Sequence, residues 1–180
     1  MKYIHFLLTL FVAIFPLSLR SDTCALDTQV VFVQPPENFS PKFHVAGCYC
    51  EYGGKILFLL RNEKKPQGKS WCIPGGKLQN QETPEEALIR EAQEEIGITL
   101  DLNGLMYCRA VYIRFPNVDF VLHLFGYHFD KEPPPLKLAL EEHTEYQWVG
   151  REQVYDLELI PGGRECFYFV DRQCDFKGSQ

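Results

Sequence analysis

The chain has 180 residues, a formal net charge of −6, and 46% hydrophobic against 23% charged residues. That composition supports one packed domain and excludes an intrinsically disordered chain. The acidic balance excludes a duplex nucleic-acid partner, which needs a basic face.

In chain order, Lys2 first precedes an uncharged run from Tyr3 to Leu19, too short and too polar at its end to span a bilayer comfortably. Residues 1–25 therefore read as a signal peptide or membrane anchor, with Thr23-Cys24-Ala25 offering small residues for cleavage after Ala25. The protein is expected to be exported or anchored, with membrane contact through this segment only. A cytoplasmic location is the alternative if the segment is not a signal. Residues 26–43 read as a leader, 44–172 as the folded domain and 173–180 as a tail.

Strand character begins at His44–Cys50 and Lys55–Leu60, and the loop Lys64 to Lys69 follows. Trp71-Cys72-Ile73-Pro74 reads as a strand running into Gly75-Gly76, where the backbone can turn tightly. Thr83 is then a helix N-cap, Pro84 suits the first helical position, Glu86 completes a capping box, and Gly97 supplies a left-handed stop. Leu105–Phe115, Val118–Phe129 and Tyr146–Val149 are further strands, Pro133-Pro134-Pro135 stiffens a loop, and Glu152–Leu157 is expected to begin a second helix. The fold class is α/β (α+β), with strands and helices in the order of an α/β/α sandwich.

The chemistry concentrates in the loop and first helix. Glu91, Glu94 and Glu95 fall within about a 100° arc of that helix, beside an apolar arc of Leu88, Ile89, Ala92 and Ile96. Like charges at these spacings cost roughly 0.2–0.5 kcal/mol per pair, and a divalent cation reverses the sign. Oxygen donors without Cys or His suit Mg²⁺ or Mn²⁺ rather than zinc. Seven cysteines without a Cys-x-x-Cys pair suggest no zinc site elsewhere, and most read as small buried hydrophobes.

Gly76, Glu82, Arg90, Glu91, Glu94, Glu95 and Gly97 match, at every fixed position, the spacing of the Nudix box, and the chain resembles a Nudix hydrolase of the MutT type. A chance match at all seven places is expected on the order of once in a million chains. Ala92 stands where that family has a larger aliphatic residue. The resemblance implies a Nudix α/β/α sandwich with a mixed sheet and a loop-helix-loop motif, hydrolysing a nucleoside diphosphate linked to another group with water and divalent metal. It implies Glu91, Glu94, Glu95 and the Gly75 carbonyl as metal ligands, with Glu94 or Glu95 also handling the attacking water.

Glu142, six residues before Trp148, fits the distal glutamate of MutT-type members, while Glu141 and Glu145 are its competitors. Glu82 and Arg90 read as a structural tie between loop and helix, and Lys77 as a weaker contact to a substrate phosphate. One of Tyr112, Phe115, Phe125, Tyr127 and Trp148 is a candidate for stacking on a base, and His143 reads as polar surface. Leu157–Tyr168 lacks the Asn or Asp expected of a reader of oxidised guanine, so ordinary nucleoside triphosphates, nucleotide sugars and dinucleotides all stay in play. The competing class is a Nudix-fold sensor without turnover.

Overall fold

The computed structural model describes residues 30–172, so the expected export segment and tail lie outside the described residues. Its elements follow as β1 (Val31–Phe32), β2 (Pro41–Tyr52), β3 (Lys55–Arg61), β4 (Trp71–Cys72), β5 (Gly75–Lys77), α1 (Pro84–Ile96), β6 (Leu105–Phe115), β7 (Val118–His128), β8 (His143–Gly150) and α2 (Gly163–Asp171). They build one mixed sheet in the order β1-β6-β7-β2-β3-β4, with β5 joined to β2 and β8 to β3.

β2 is the central strand, and its position explains its composition. It runs parallel to β7 from Pro41 to Glu51, and Ala46 through Glu51 are buried without interruption, as a strand covered on both faces requires. Alternation then assigns its side chains to two cores. Ala46, Cys48 and Cys50 meet Ala87, Leu88, Ala92 and Ile96 of α1, whereas Tyr49 faces Cys166, Phe167 and Val170 of α2. One helix on each face gives the expected α/β/α layering.

α1 begins and ends as its sequence dictates. The Thr83 hydroxyl accepts the Glu86 N–H at 3.2 Å, the Glu86 carboxylate accepts the Thr83 N–H at 2.8 Å, and Gly97 closes the helix at φ 71°. Leu88 and Ile96 are fully buried, each burial contributing roughly 1.5–3 kcal/mol. Leu88→Ala is the single change that would most weaken this anchoring, at about 2–5 kcal/mol.

The feature that makes a site is a split in the sheet. Beside their hairpin turn β2 and β3 pair only at Glu51–Ile56 and Tyr52–Lys55 and then diverge. β2 takes β5 as its partner at Val45–Gly47, while β3 takes β4 and β8. The Ile73-Pro74 segment crosses the gap, tied by the Cys48 N–H donating to the Pro74 carbonyl at 2.9 Å.

Three expectations change. The presumed leader is partly structural, because Val31 and Phe32 pair with Ile113 and Tyr112 and Val31 is buried. Arg151–Asp156 forms only a 3-10 turn, and the second α-helix lies later, at Gly163–Asp171. His143 is not surface but fully buried, since β8 pairs with β3 from Lys55 to Arg61 and turns its first side chain inward. Among the described residues Cys48, Cys50, Cys72 and Cys166 are free and buried, while Cys108 is disulfide-bonded.

Candidate active site

α1 brings Glu91, Glu94 and Glu95 against the Gly75-Gly76 loop at the mouth of the split. Their environments differ sharply: the Glu94 side chain is 59% exposed, Glu91 17% and Glu95 9%. The two glycines are there for close approach. A Cβ on Gly75, at φ 149°, would lie 2.1 Å from the Ala46 carbonyl oxygen, and one on Gly76 would lie 2.2 Å from the Glu91 carboxyl carbon.

Glu95 is the most perturbed of the three. Its Oε2 accepts the Gly75 N–H at 2.9 Å. Burial pushes its carboxyl up to about 8, the Gly75 N–H offsets part of this, and nearby Glu91 adds to it. A metal-free site therefore keeps Glu95 protonated at neutral pH.

Arg90 organises the rim. Its Nε and one terminal nitrogen donate to the two Glu82 carboxylate oxygens at 2.8 and 3.0 Å, and the same face reaches the Lys77 carbonyl at 3.0 Å. Glu82 also accepts the Gln79 N–H at 2.8 Å, so the pair clamps the loop to the helix. The Arg90 hydrogen bond holds Glu82 below the usual carboxylate range. The other Arg90 terminal nitrogen reaches Glu91 at 2.7 Å and Glu94 at 3.3 Å.

Glu142 immediately precedes β8 and is ion-paired with Lys65 of the β3–β4 loop. Its neighbour His143 lies behind Glu95, with Nδ1 at 3.6 Å from Glu95 Oε1 and Nε2 at 3.4 Å from Cys72 Sγ. Burial, with Arg61 nearby, pushes the imidazole down to about 4. Glu141 and Glu145 are exposed. Gly97 ends α1, and Lys77 is exposed with its Nζ 4.0 Å over the Phe43 ring.

The split opens beside these carboxylates into a cleft of about 420 Å³, lined by the Gly75-Gly76 loop, Arg61 and the aromatic side chains Phe43, Phe58, Trp71, Phe115 and Phe120. Of the five aromatics singled out by sequence, Phe115 lines this cleft. Phe125 is in the core, and Trp148 packs with Tyr52 and Phe129 elsewhere. Arg61, which sequence reasoning missed, donates from Nε to the Pro66 carbonyl at 3.0 Å and puts its charge near Glu95 and His143. Its only local signal was a lone cation ending an apolar strand.

The donors at this site are carboxylates, the set that a hard divalent cation takes. Among the described residues no three acidic, His or Cys side chains converge as they stand on one ion position. Arg90 holds Glu91 and Glu94, Lys65 holds Glu142, and burial disfavours the charged form of Glu95. A cation fits by offsetting that burial penalty and competing with those two protein cations.

The chain matches the family model described as NUDIX domain over residues 41–169. It is 40% identical over 85 residues to an 8-oxo-dGTP diphosphatase of Proteus vulgaris, an alignment covering 47% of this chain and 74% of that protein. It is 29% identical over 119 residues to a CTP pyrophosphohydrolase of Escherichia coli K12, covering 65% of this chain and 82% of the other. Among solved structures, the MutT protein of Methanosarcina mazei Go1 superposes with a TM-score of 0.64 at 26% identity, over 74% of this chain and 95% of that one.

Proposed function

This chain belongs to the Nudix family and is a hydrolase of phosphoric anhydride bonds, and we propose that it is a Mg²⁺- or Mn²⁺-dependent pyrophosphohydrolase of small nucleotides. Its substrate is a nucleoside diphosphate linked to another moiety, cleaved by water attack at phosphorus. The observation that carries this reading is the buried Glu95 beside Glu91 and the glycine loop, at the mouth of an aromatic cleft.

Glu91, Glu94 and Glu95, with Glu142 and the Gly75 carbonyl, are the groups that would hold the cation. The cation supplies neutralisation of the bridging phosphates and a lowered pKa for water. Glu94 or Glu95 accepts the proton of the attacking water. Arg61 and Lys77 flank the loop and attract the phosphate chain, while the aromatic walls stack on the base.

The cleft lining is mostly apolar, and Leu157–Tyr168 supplies no Asn or Asp. Stacking without much edge reading favours a tolerant choice of base. 8-oxo-dGTP and CTP, named for the relatives, are thus two candidates, beside other nucleoside triphosphates, ADP-ribose-like sugars and dinucleotides. A panel of these, assayed with Mg²⁺, Mn²⁺ or EDTA for release of pyrophosphate, phosphate and nucleoside monophosphate, tests the proposal. Metal-dependent turnover of at least one supports it. Tight binding of a nucleotide with no turnover of any would establish the sensor alternative.

A further inference from the structure

His143 is the one fully buried histidine among the described residues, and the proposed reaction gives it no task. Its Nδ1 is buried without a hydrogen-bond partner, and leaving such a group unmatched costs roughly 1–3 kcal/mol. Glu95 Oε1 lies 3.6 Å from it, just beyond hydrogen-bond length. On the opposite side of the ring Nε2 meets the Cys72 thiol at 3.4 Å, whereas the Leu59 carbonyl is farther from that sulfur, at 3.6 Å. A neutral imidazole has one N–H and one acceptor nitrogen. With the thiol as donor to Nε2, the ring proton sits on Nδ1 and points at Glu95.

We propose that His143 is a positioning residue for Glu95, its Nδ1–H donating to Oε1 while the Gly75 N–H donates to Oε2, so that the carboxylate plane is fixed toward the cation. Cys72 sets the tautomer. This inference rests on the reading of Glu95 as a metal ligand. Such outer partners orient ligands, and their loss typically costs 10–100-fold in metal affinity or activity.

The test replaces His143 with Asn, whose amide nitrogen falls near Nδ1, with Gln, whose amide nitrogen falls near Nε2, and with Leu. Free Mn²⁺ is titrated into each metal-free protein and followed by electron paramagnetic resonance. The kcat and KM for CTP with Mg²⁺ and the melting temperature are measured alongside. His143→Leu and His143→Gln should bind Mn²⁺ roughly 10- to 100-fold more weakly and lose kcat while KM stays within about twofold, and His143→Asn should recover most of both. If His143→Leu does not fold, the Asn and Gln pair still decides. Equal losses in Asn and Gln, or wild-type Mn²⁺ affinity in Leu or Gln, would overturn the inference. Glu95→Gln separates the two levels: wild-type Mn²⁺ affinity in that variant removes the metal reading itself, whereas weak binding there with silent His143 variants removes only the role of His143.

Discussion

Glu95→Gln should stabilise the metal-free protein at high pH while abolishing its turnover. The carboxyl has an ordinary value of 4.5 and is raised by burial to about 8. A folded value above the unfolded one leaves stability complete below pH of about 4.5 and removes it as pH rises through about 8. Across that interval the penalty is on the order of 1 kcal/mol at pH 5.5, 3 at pH 7 and 5 at pH 9. Gln keeps an oxygen for the Gly75 N–H and has no proton to lose. Scanning calorimetry in EDTA at pH 5.5 and 9 should therefore show the variant gaining on wild type by roughly 10 °C between the two, at about 2–4 °C per kcal/mol for a domain of this size. The comparison of differences cancels any fixed cost of the amide. Mg²⁺ at pH 9 should raise the melting point of wild type and leave that of the variant nearly unchanged. A wild type-to-variant difference that stays constant from pH 5.5 to 9 would refute the reasoning.

Further predictions rest on the same geometry. Gly76→Ala should depress turnover with little loss of melting temperature, because the flexible Glu91 carboxylate is what yields; Gly75→Ala should unfold or melt early, because its Cβ meets the Ala46 backbone, and the reverse ranking would contradict this. Arg90→Ala should lose on the order of 2–3 kcal/mol with or without Mg²⁺, measured by urea unfolding; a variant that unfolds like wild type yet is inactive would make Arg90 a substrate contact. Glu94→Gln, at an exposed position, should keep the fold and lower kcat by roughly a thousandfold or more, and wild-type kinetics would end its assignment. We also propose that residues 1–25 direct export or anchoring: deleting them should leave turnover intact, and the native product should run short or fractionate with membrane, whereas a full-length soluble cytosolic chain would contradict the proposal.

What the sequence made legible was what local rules decide. Thr83, Pro84, Glu86 and Gly97 fix α1 within one short window, and each cap forms as read. The spacing of the glutamates likewise follows from helical geometry alone. α2 escaped because Gly162 starts it in a left-handed conformation with no side-chain cap, leaving only Cys166, Phe167 and Val170 as a signal. His143 was misread for another reason: its burial comes from the pairing of β8 with β3, which no residue near it announces. The pairing of Val31–Phe32 with β6, some eighty positions away, was hidden in the same way.

The four free cysteines among the described residues amount to a set of built-in clocks. Each is buried, and burial pushes the Cys72 and Cys166 thiols up to about 12, so a thiol reagent at neutral pH reaches none of these four in the closed protein. Cys48 and Cys50 lie under α1 and Cys166 sits on the inward face of α2, so their labelling rates time the lifting of one layer or the other from the sheet. Cys166 reacting before Cys48 would mean that the α2 layer opens as a separate unit. Equal rates would mean that both layers part only when the whole sheet does, a question the molecule can answer without any label being engineered into it.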